Sequence, residues 1–406
     1  MTDRAVVTGI GVAAPNGLGP TAYWRALMGG RCGIRRVTRF DASPYRCTLA
    51  GEIEDFEASR HIQDNRLLTQ TDHITQMSLV AADWALRQAG LRREELSAAE
   101  MGVATAAAGG GYEFGQRELA KLHKQDPGYL STYESFAWFN AASTGQSTIR
   151  QGMRGPGTVL VGEQAGGLDA IGQARRQLRD GSRAMLTGGV DSALSPWSWA
   201  AHEAAGSMSR SSDPRWAYLP FDERANGYVP GEGGAIMVLE NAQTAARRPG
   251  VRIYGEVAGY ASTFDSARPD QPSGLRRAIE TALGDAGMAA ADVDVVFADA
   301  AGRPDPDRTE AEAIAGVFGP CGVPVTAPKT MTGRLCAGGA CLDVAAALLA
   351  MYWSAIPPTV NVRAPVPDYE LDLVLDTPRH TPVRAALVLA RGIGGFNSAI
   401  VVREYR

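Results

Sequence analysis

Apolar residues in this chain come in short unbroken runs more often than in alternation. AVVTGIGV (5–12), MGVATAAAGGG (101–111), VRIYGEVAGY (251–260) and VDVVFADAAG (293–302) each read as a strand that runs into or through small residues. An unbroken run of that length is what a strand covered on both faces requires. Between such runs lie stretches with apolar residues at helical spacing. SLVAADWALRQAG (78–90) predicts one helix, ending in Gly90, a residue type that commonly closes a helix.

The order of these elements repeats. VLVGEQAGGLDAIGQARRQL (159–178) and VPVTAPKTMTGRLCAGGACLDVAAALLAM (323–351) both read as strand, small-residue turn and helix, and both carry Leu-Asp before an apolar stretch. Each half also ends in a strand pair, RAMLTGGV (183–190) with GGAIMVLE (233–240), then AALVLARG (385–392) with SAIVVRE (398–404). Two fused strand–helix repeats predict an α/β protein of two packed halves. The polar stretch 240–250, closed by Pro249 and Gly250, divides them into residues 1–250 and 251–406. The irregular stretch 40–56 reads as a surface excursion.

The length of 406 residues supports two such units. A net charge of −4 gives no long-range attraction to nucleic acid or to an anionic membrane. No apolar stretch reaches the length of a membrane span, and the N-terminus is too short and too charged for a secretory signal. Cys32, Cys47, Cys321, Cys336 and Cys341 include no CxxC pair. They predict free thiols in a reducing compartment, with no metal centre, and hence a cytoplasmic protein.

The segments AVVTGIGVAAPNGLG (5–19), GMRGP (152–156), VGEQAGGLDA (161–170), GGVDSAL (188–194), PFDERANGYVPGEGGAIMVLE (220–240), PKTMTGR (328–334) and GIGGFNSA (392–399) carry a resemblance over essentially the whole chain. It resembles the thiolase-fold ketosynthases and, among them, the chain-length factors (ketosynthase-beta subunits) of bacterial type II aromatic polyketide synthases. The resemblance implies a thiolase-like five-layer αβαβα fold built from two duplicated halves, and an obligate dimer.

An active ketosynthase carries a cysteine nucleophile where this chain has Gln164 and two histidines where it has Asp299 and Arg334; the family lysine is retained as Lys329. A helix N-terminus lowers a thiol's pKa and stabilises an oxyanion, but an amide forms no thioester. None of the five histidines falls in either loop, and Cys336 has no histidine near it in sequence. Asp299 and Arg334 are placed to pair across the vacated pocket. With both imidazoles gone, the donors that decarboxylation needs are missing as well.

The resemblance therefore implies a non-catalytic subunit. It forms a heterodimer with an active ketosynthase-alpha subunit and shapes the interface tunnel that sets poly-β-ketone length. The alternative is a decarboxylase acting on malonyl carrier protein, supplying acetyl primer through Gln164. Tyr112, Gly115 and Leu119 share one face of a predicted helix and, with Trp197, correspond to tunnel-lining positions, although the same spacing suits plain core packing. Small Gly115 and medium Leu119 imply a long product. Phe136, Trp138 and Phe139 read either as interface anchors or as core. No cofactor is expected, because substrate arrives as a phosphopantetheine thioester on an acyl carrier protein.

Overall fold

The two halves of the chain lay out their strands in matching order. The computed structural model describes residues 4–266 and 273–406. The first half supplies β1 (Ala5–Ala14), β2 (Met101–Ala106), β3 (Gly157–Leu160), β4 (Ala184–Ser192) and β5 (Glu232–Asn241). The second supplies β6 (Gly255–Phe264), β7 (Val295–Phe297), β8 (Pro324–Thr326), β9 (Ala385–Gly392) and β10 (Phe396–Arg403). Across the first sheet the order is β3-β2-β4-β5-β1, and across the second it is β8-β7-β9-β10-β6. Among the described residues, the sheets join where β1 meets β6, at Val6 opposite Glu256 and Val7 opposite Gly255.

Helices sit between and outside the sheets. The helices are α1 (His73–Ala89), α2 (Tyr112–Lys124), α3 (Ala142–Gln151), α4 (Glu163–Arg179), α5 (Pro196–Ala204), α6 (Gly274–Ala286), α7 (Pro304–Phe318) and α8 (Ala337–Trp353). The middle layer is α4 and α8, which pack on each other and touch strands of both sheets. α1 covers the outer face of the first sheet and α6 that of the second, so the chain has the five-layer αβαβα order of a thiolase-like fold. α8 is buried from Ala337 to Met351 and, apart from Asp343, carries no charged side chain, as suits a helix between two sheets.

Duplication is visible at single atoms. A Cβ on Gly9 would fall 2.0 Å from the Ala85 carbonyl oxygen, and one on Gly259 would fall 2.1 Å from that of Ala282. In each half an outer helix rests on the strand next to the junction through a glycine, because no side chain fits between the backbones. The stretch 40–56 differs from expectation. Residues 34–36 pair with 49–51, and Cys47, Leu49 and Ala50 are buried in a cluster around Trp199. The excursion is thus a small core of its own. Among the described residues, no helix is long and apolar enough to cross a membrane.

Candidate functional site

Three chain reversals at the same end of the sheets meet at one buried point. After β3, Glu163 takes φ 51°, and α4 begins with Gln164 buried in its first turn. After β7 comes Asp299, followed by Ala300 at φ 52°. After β8 the chain forms a tight turn over Pro328–Met331, reaches Arg334, and enters α8 through Cys336 at φ 48°. Residues other than glycine in this left-handed region hold strained backbone, which persists only where the surroundings enforce it. Here the enforcement is explicit. From α7, Glu310 accepts the backbone N–H of Asp299 at 2.6 Å and of Ala300 at 2.8 Å, while Asp307 accepts that of Gly302 at 2.9 Å.

Arg334 binds the three reversals together. Its Nη1 lies 3.1 Å from Asp299 Oδ2, and its Nη2 donates to the Arg391 carbonyl at 2.6 Å and lies 3.5 Å from Glu163 Oε2. The Gln164 amide is assigned with its oxygen toward the guanidinium, the orientation that satisfies both of its ends: the oxygen then accepts from Arg334 Nε at 3.2 Å and Nη1 at 3.0 Å, and the NH2 donates to the Cys336 carbonyl at 3.0 Å. Lys329 donates to the Asp299 carbonyl at 2.9 Å and pairs with Asp343 Oδ2 at 2.8 Å. A Cβ on Gly339 would fall 2.1 Å from the Gln164 amide, so the glycine makes room for it.

The electrostatics separate the two carboxylates that face Arg334. Burial alone would raise both. At Asp299, Arg334 and Lys329 outweigh it and hold the carboxyl below its ordinary value, whereas the Glu163 carboxyl stays raised. The shorter pair is therefore the operative one. Burial also pushes Asp343 up to about 6. Arg334 Nη1 and Nη2 both have protein acceptors, so the guanidinium is committed to the protein.

Sequence reasoning missed several residues here. Folding places His202 Nε2 4.0 Å from Cys336 Sγ, with His202 Nδ1 2.9 Å from Tyr228 Oη. The absence of a histidine near Cys336 in sequence thus fails in space. Burial raises the thiol far above its ordinary value and lowers that of His202, which disfavours a thiolate here. Asp191, at the end of β4, accepts backbone N–H groups of Ala108 at 2.7 Å and Ala337 at 3.3 Å, and burial raises it to about 6. It ties α8 to the first sheet; its signal was the GGVDSAL motif. Nothing in the sequence marks Arg391, whose N–H donates to Asp299 Oδ1 at 2.9 Å. A cavity of about 390 Å³ opens beside this network, between Arg303, Arg391 and the loop 392–396.

The remaining expected residues gather elsewhere. The Tyr112 ring stands edge-on to Trp197 with centroids 5.0 Å apart, and Gln116 Oε1 accepts the Trp197 backbone N–H at 2.9 Å. Gly115 does not face open space. A Cβ there would meet the Trp138 and Glu134 side chains at 3.4 Å, so the segment 134–138 lies against this position. Phe136 is half-buried against Tyr133. Core packing fails for its neighbours, because Trp138 is 47% and Phe139 52% exposed. Leu119 and Trp197 are exposed as well, as are Ile149 on α3 and Val161 after β3.

This geometry has close counterparts among known proteins. Residues 2–245 match the beta-ketoacyl synthase N-terminal domain and residues 254–363 the beta-ketoacyl synthase C-terminal domain. The chain belongs to the beta-ketoacyl synthase family. Within it, the chain is 56% identical to the actinorhodin polyketide putative beta-ketoacyl synthase 2 of Streptomyces coelicolor, over 98% of each chain. It is 55% identical to the tetracenomycin polyketide synthase ketoacyl synthase beta subunit of Streptomyces glaucescens, again over 98% of each. Among solved structures it superimposes on the ishigamide ketosynthase/chain length factor with TM-score 0.92 at 29% identity, over 100% of both chains. It superimposes with TM-score 0.91 at 27% identity, over 100% of both chains, on AntDE:AntF, a type II polyketide synthase acyl-carrier protein in complex with its ketosynthase bound to the hexaketide.

Proposed function

We propose that this chain is the non-catalytic, chain-length-setting subunit of a type II polyketide synthase, acting in a heterodimer with a ketosynthase subunit that carries the cysteine. The observation that carries this reading is the closed network of Gln164, Asp299 and Arg334. The place of nucleophile and imidazoles is filled by groups bound to one another, in a chain that keeps the whole fold. The same network disfavours the decarboxylase alternative, because Gln164 and Arg334 spend their donors on protein acceptors.

Support for the partner comes from the edge of the first sheet. β3 is the edge of the first sheet, hydrogen-bonded on one side only. An unpaired edge flanked by exposed Ile149, Val161, Trp138 and Phe139 offers both ladder groups and apolar area to a second subunit. Tyr112, Leu119 and Trp197 lie around the same rim, and side chains there would set how much chain the shared tunnel accepts. Acyl groups would arrive on a carrier protein, and no cofactor is called for.

Reconstitution tests this. The purified chain alone, given malonyl carrier protein, forms no acyl-enzyme and releases no acetyl group at a useful rate. Adding the ketosynthase partner gives a product of fixed length, and Leu119→Phe shortens it. An acylated form of this chain without the partner, or an unchanged product length in the variant together with Gly115→Thr, overturns the corresponding half of the reading.

A further inference from the structure

A second cavity, about 780 Å³ against about 390 Å³ for the one beside Arg334, lies at the opposite end of the first sheet. The Gln164 network adjoins the end of β4 and the start of β5. This cleft is instead built on Arg183 before β4, on residues 244–254 after β5, and on the end of α1 at Gln88–Gly90. It is therefore separate from the vacated site.

Its lining runs against the charge of the chain. Arg92, Arg183, Arg247, Arg248 and Arg252 face the cleft and, among the described residues, Glu95 is the one carboxylate in its wall, although the chain carries a net charge of −4. Three of these cations are committed. Arg92 pairs with Glu95 at 2.8 Å, Arg183 with Glu100 at 2.8 Å, and Arg248 with Glu240 and the Ala89 carbonyl. Among the described residues, no carboxylate pairs with Arg247 or Arg252. Arg247 is exposed, and Arg252 lies over the rings of Tyr254 and Tyr352 at 5.9 Å and 4.9 Å. Next to the guanidinium groups the wall turns apolar at Leu91, Leu96, Pro249 and Val251.

We propose that this cleft binds a nucleotide, with its phosphates on Arg247 and Arg252 and its base against the wall of Leu91, Leu96 and Val251. The planar fork of arginine matches phosphate in two-point hydrogen bonds. Apolar walls with a few placed charges, in a volume within the roughly 300–1,000 Å³ of small-molecule sites, are what such a ligand needs. A polyketide-extending assembly meets two sources of this chemistry, free nucleotides and the nucleotide portion of coenzyme A. The proposal rests on the cleft alone and stands whether or not the chain sets product length.

Calorimetric titration of the full chain with ATP, with coenzyme A and with inorganic phosphate tests it. ATP or coenzyme A is expected to bind saturably, more weakly as salt rises. Arg247→Ala and Arg252→Ala are each expected to weaken binding about tenfold, the size of one lost charge-assisted hydrogen bond. Arg247 has an exposed side chain and no ion pair, so its replacement leaves the fold intact; an unchanged melting temperature checks this. Arg303→Ala, at the other cavity, leaves the affinity unchanged. Coenzyme A binding as tightly as ATP identifies the coenzyme as the source, and ATP binding alone identifies free nucleotide. Three results overturn the proposal: no saturable binding of either, binding unaffected by the Arg247→Ala/Arg252→Ala pair, or inorganic phosphate binding as tightly as both.

Discussion

The end of the sheets around Gln164 and the rim around β3 are built on opposite terms. At the first, buried polar atoms are closed on each other: Arg334 is shared among Asp299, Glu163, Gln164 and the Arg391 carbonyl. At the second, Trp138, Phe139, Ile149 and Val161 stand in solvent beside an unpaired strand edge. A working catalytic pocket would reverse this, leaving free donors inside. The difference teaches that the chain has moved its business from bond-making at a turn to shape and contact at an edge. It keeps the old turn only as a tie between its halves.

The strongest way to break that comparison is to open the tie. Arg334→Leu leaves the buried Asp299 carboxylate without its paired guanidinium, and removing one partner of a buried pair typically costs about 3–5 kcal/mol. The denaturation midpoint should fall accordingly. Adding Asp299→Asn should recover part of the loss, so that the double-mutant cycle shows coupling. Strict additivity of the two changes would mean that Arg334 and Asp299 are neighbours without being partners.

Next in size is the exposed rim. Trp138→Asp places a charge in what the proposed heterodimer would bury. A buried aromatic anchor is worth about 2 kcal/mol or more, so the subunits should associate ~30-fold more weakly or worse. The isolated chain should melt almost unchanged, since Trp138 is 47% exposed. Analytical ultracentrifugation with the ketosynthase partner reads the first and a thermal scan the second. A large loss of melting temperature with association intact would return Trp138 to the core.

How much of this was legible in sequence follows from what fixes each feature. The strand–helix repeats, the paired halves and the positions of Gln164, Asp299 and Arg334 are set by local runs and turns, and motif order carries them. The Asp299–Arg334 pairing was foreseeable because both residues replace groups that must meet at one point. The surroundings of Gly115 were not, since the Trp138 and Glu134 side chains that lie against it come from a separate segment. His202 beside Cys336 was invisible for the same reason, being 134 residues away. Arg391 contributes through its backbone, which no side-chain motif records. The stretch 40–56 misled because short strands with few apolar residues look like loop until Trp199 supplies a core for them.

The loop that carries Asp299 gives a smaller, pH-dependent test of how tightly the polar end is held. Burial, then mutual repulsion with Glu310, pushes Asp307 up to about 7, and Glu310, buried and facing Asp299, also reaches about 7. Unfolded, such carboxyls titrate near ~4. Between those values the folded chain holds more protons, so this contribution to stability is fully present below about pH 4 and is lost as pH rises through about 7. Asp299 works in the opposite sense, since its lowered value makes its share disappear as pH falls. Comparing the wild type with Asp307→Asn separates the two. The variant should lose less stability between about pH 5 and pH 8 than the wild type does. Equal slopes would place Asp307 in contact with solvent.

The smallest expected effect is also the one that bears most directly on the division of labour. Gln164→Ala removes the amide that joins Arg334 to the Cys336 carbonyl. It leaves one carbonyl and part of a guanidinium short of partners in a buried place, a loss of about 1–3 kcal/mol. Because Arg334 retains Asp299, Glu163 and the Arg391 carbonyl, the fold survives. With the ketosynthase partner present, the variant should still yield product of the same length, since the hydrogen bonds of Gln164 run to Arg334 and the Cys336 carbonyl and not to Tyr112, Leu119 or Trp197. Condensation assays and product mass report on both. A variant that folds, pairs and then fails to extend the chain would put Gln164 back in contact with the acyl group and return chemistry to the end of the molecule that its hydrogen bonds close.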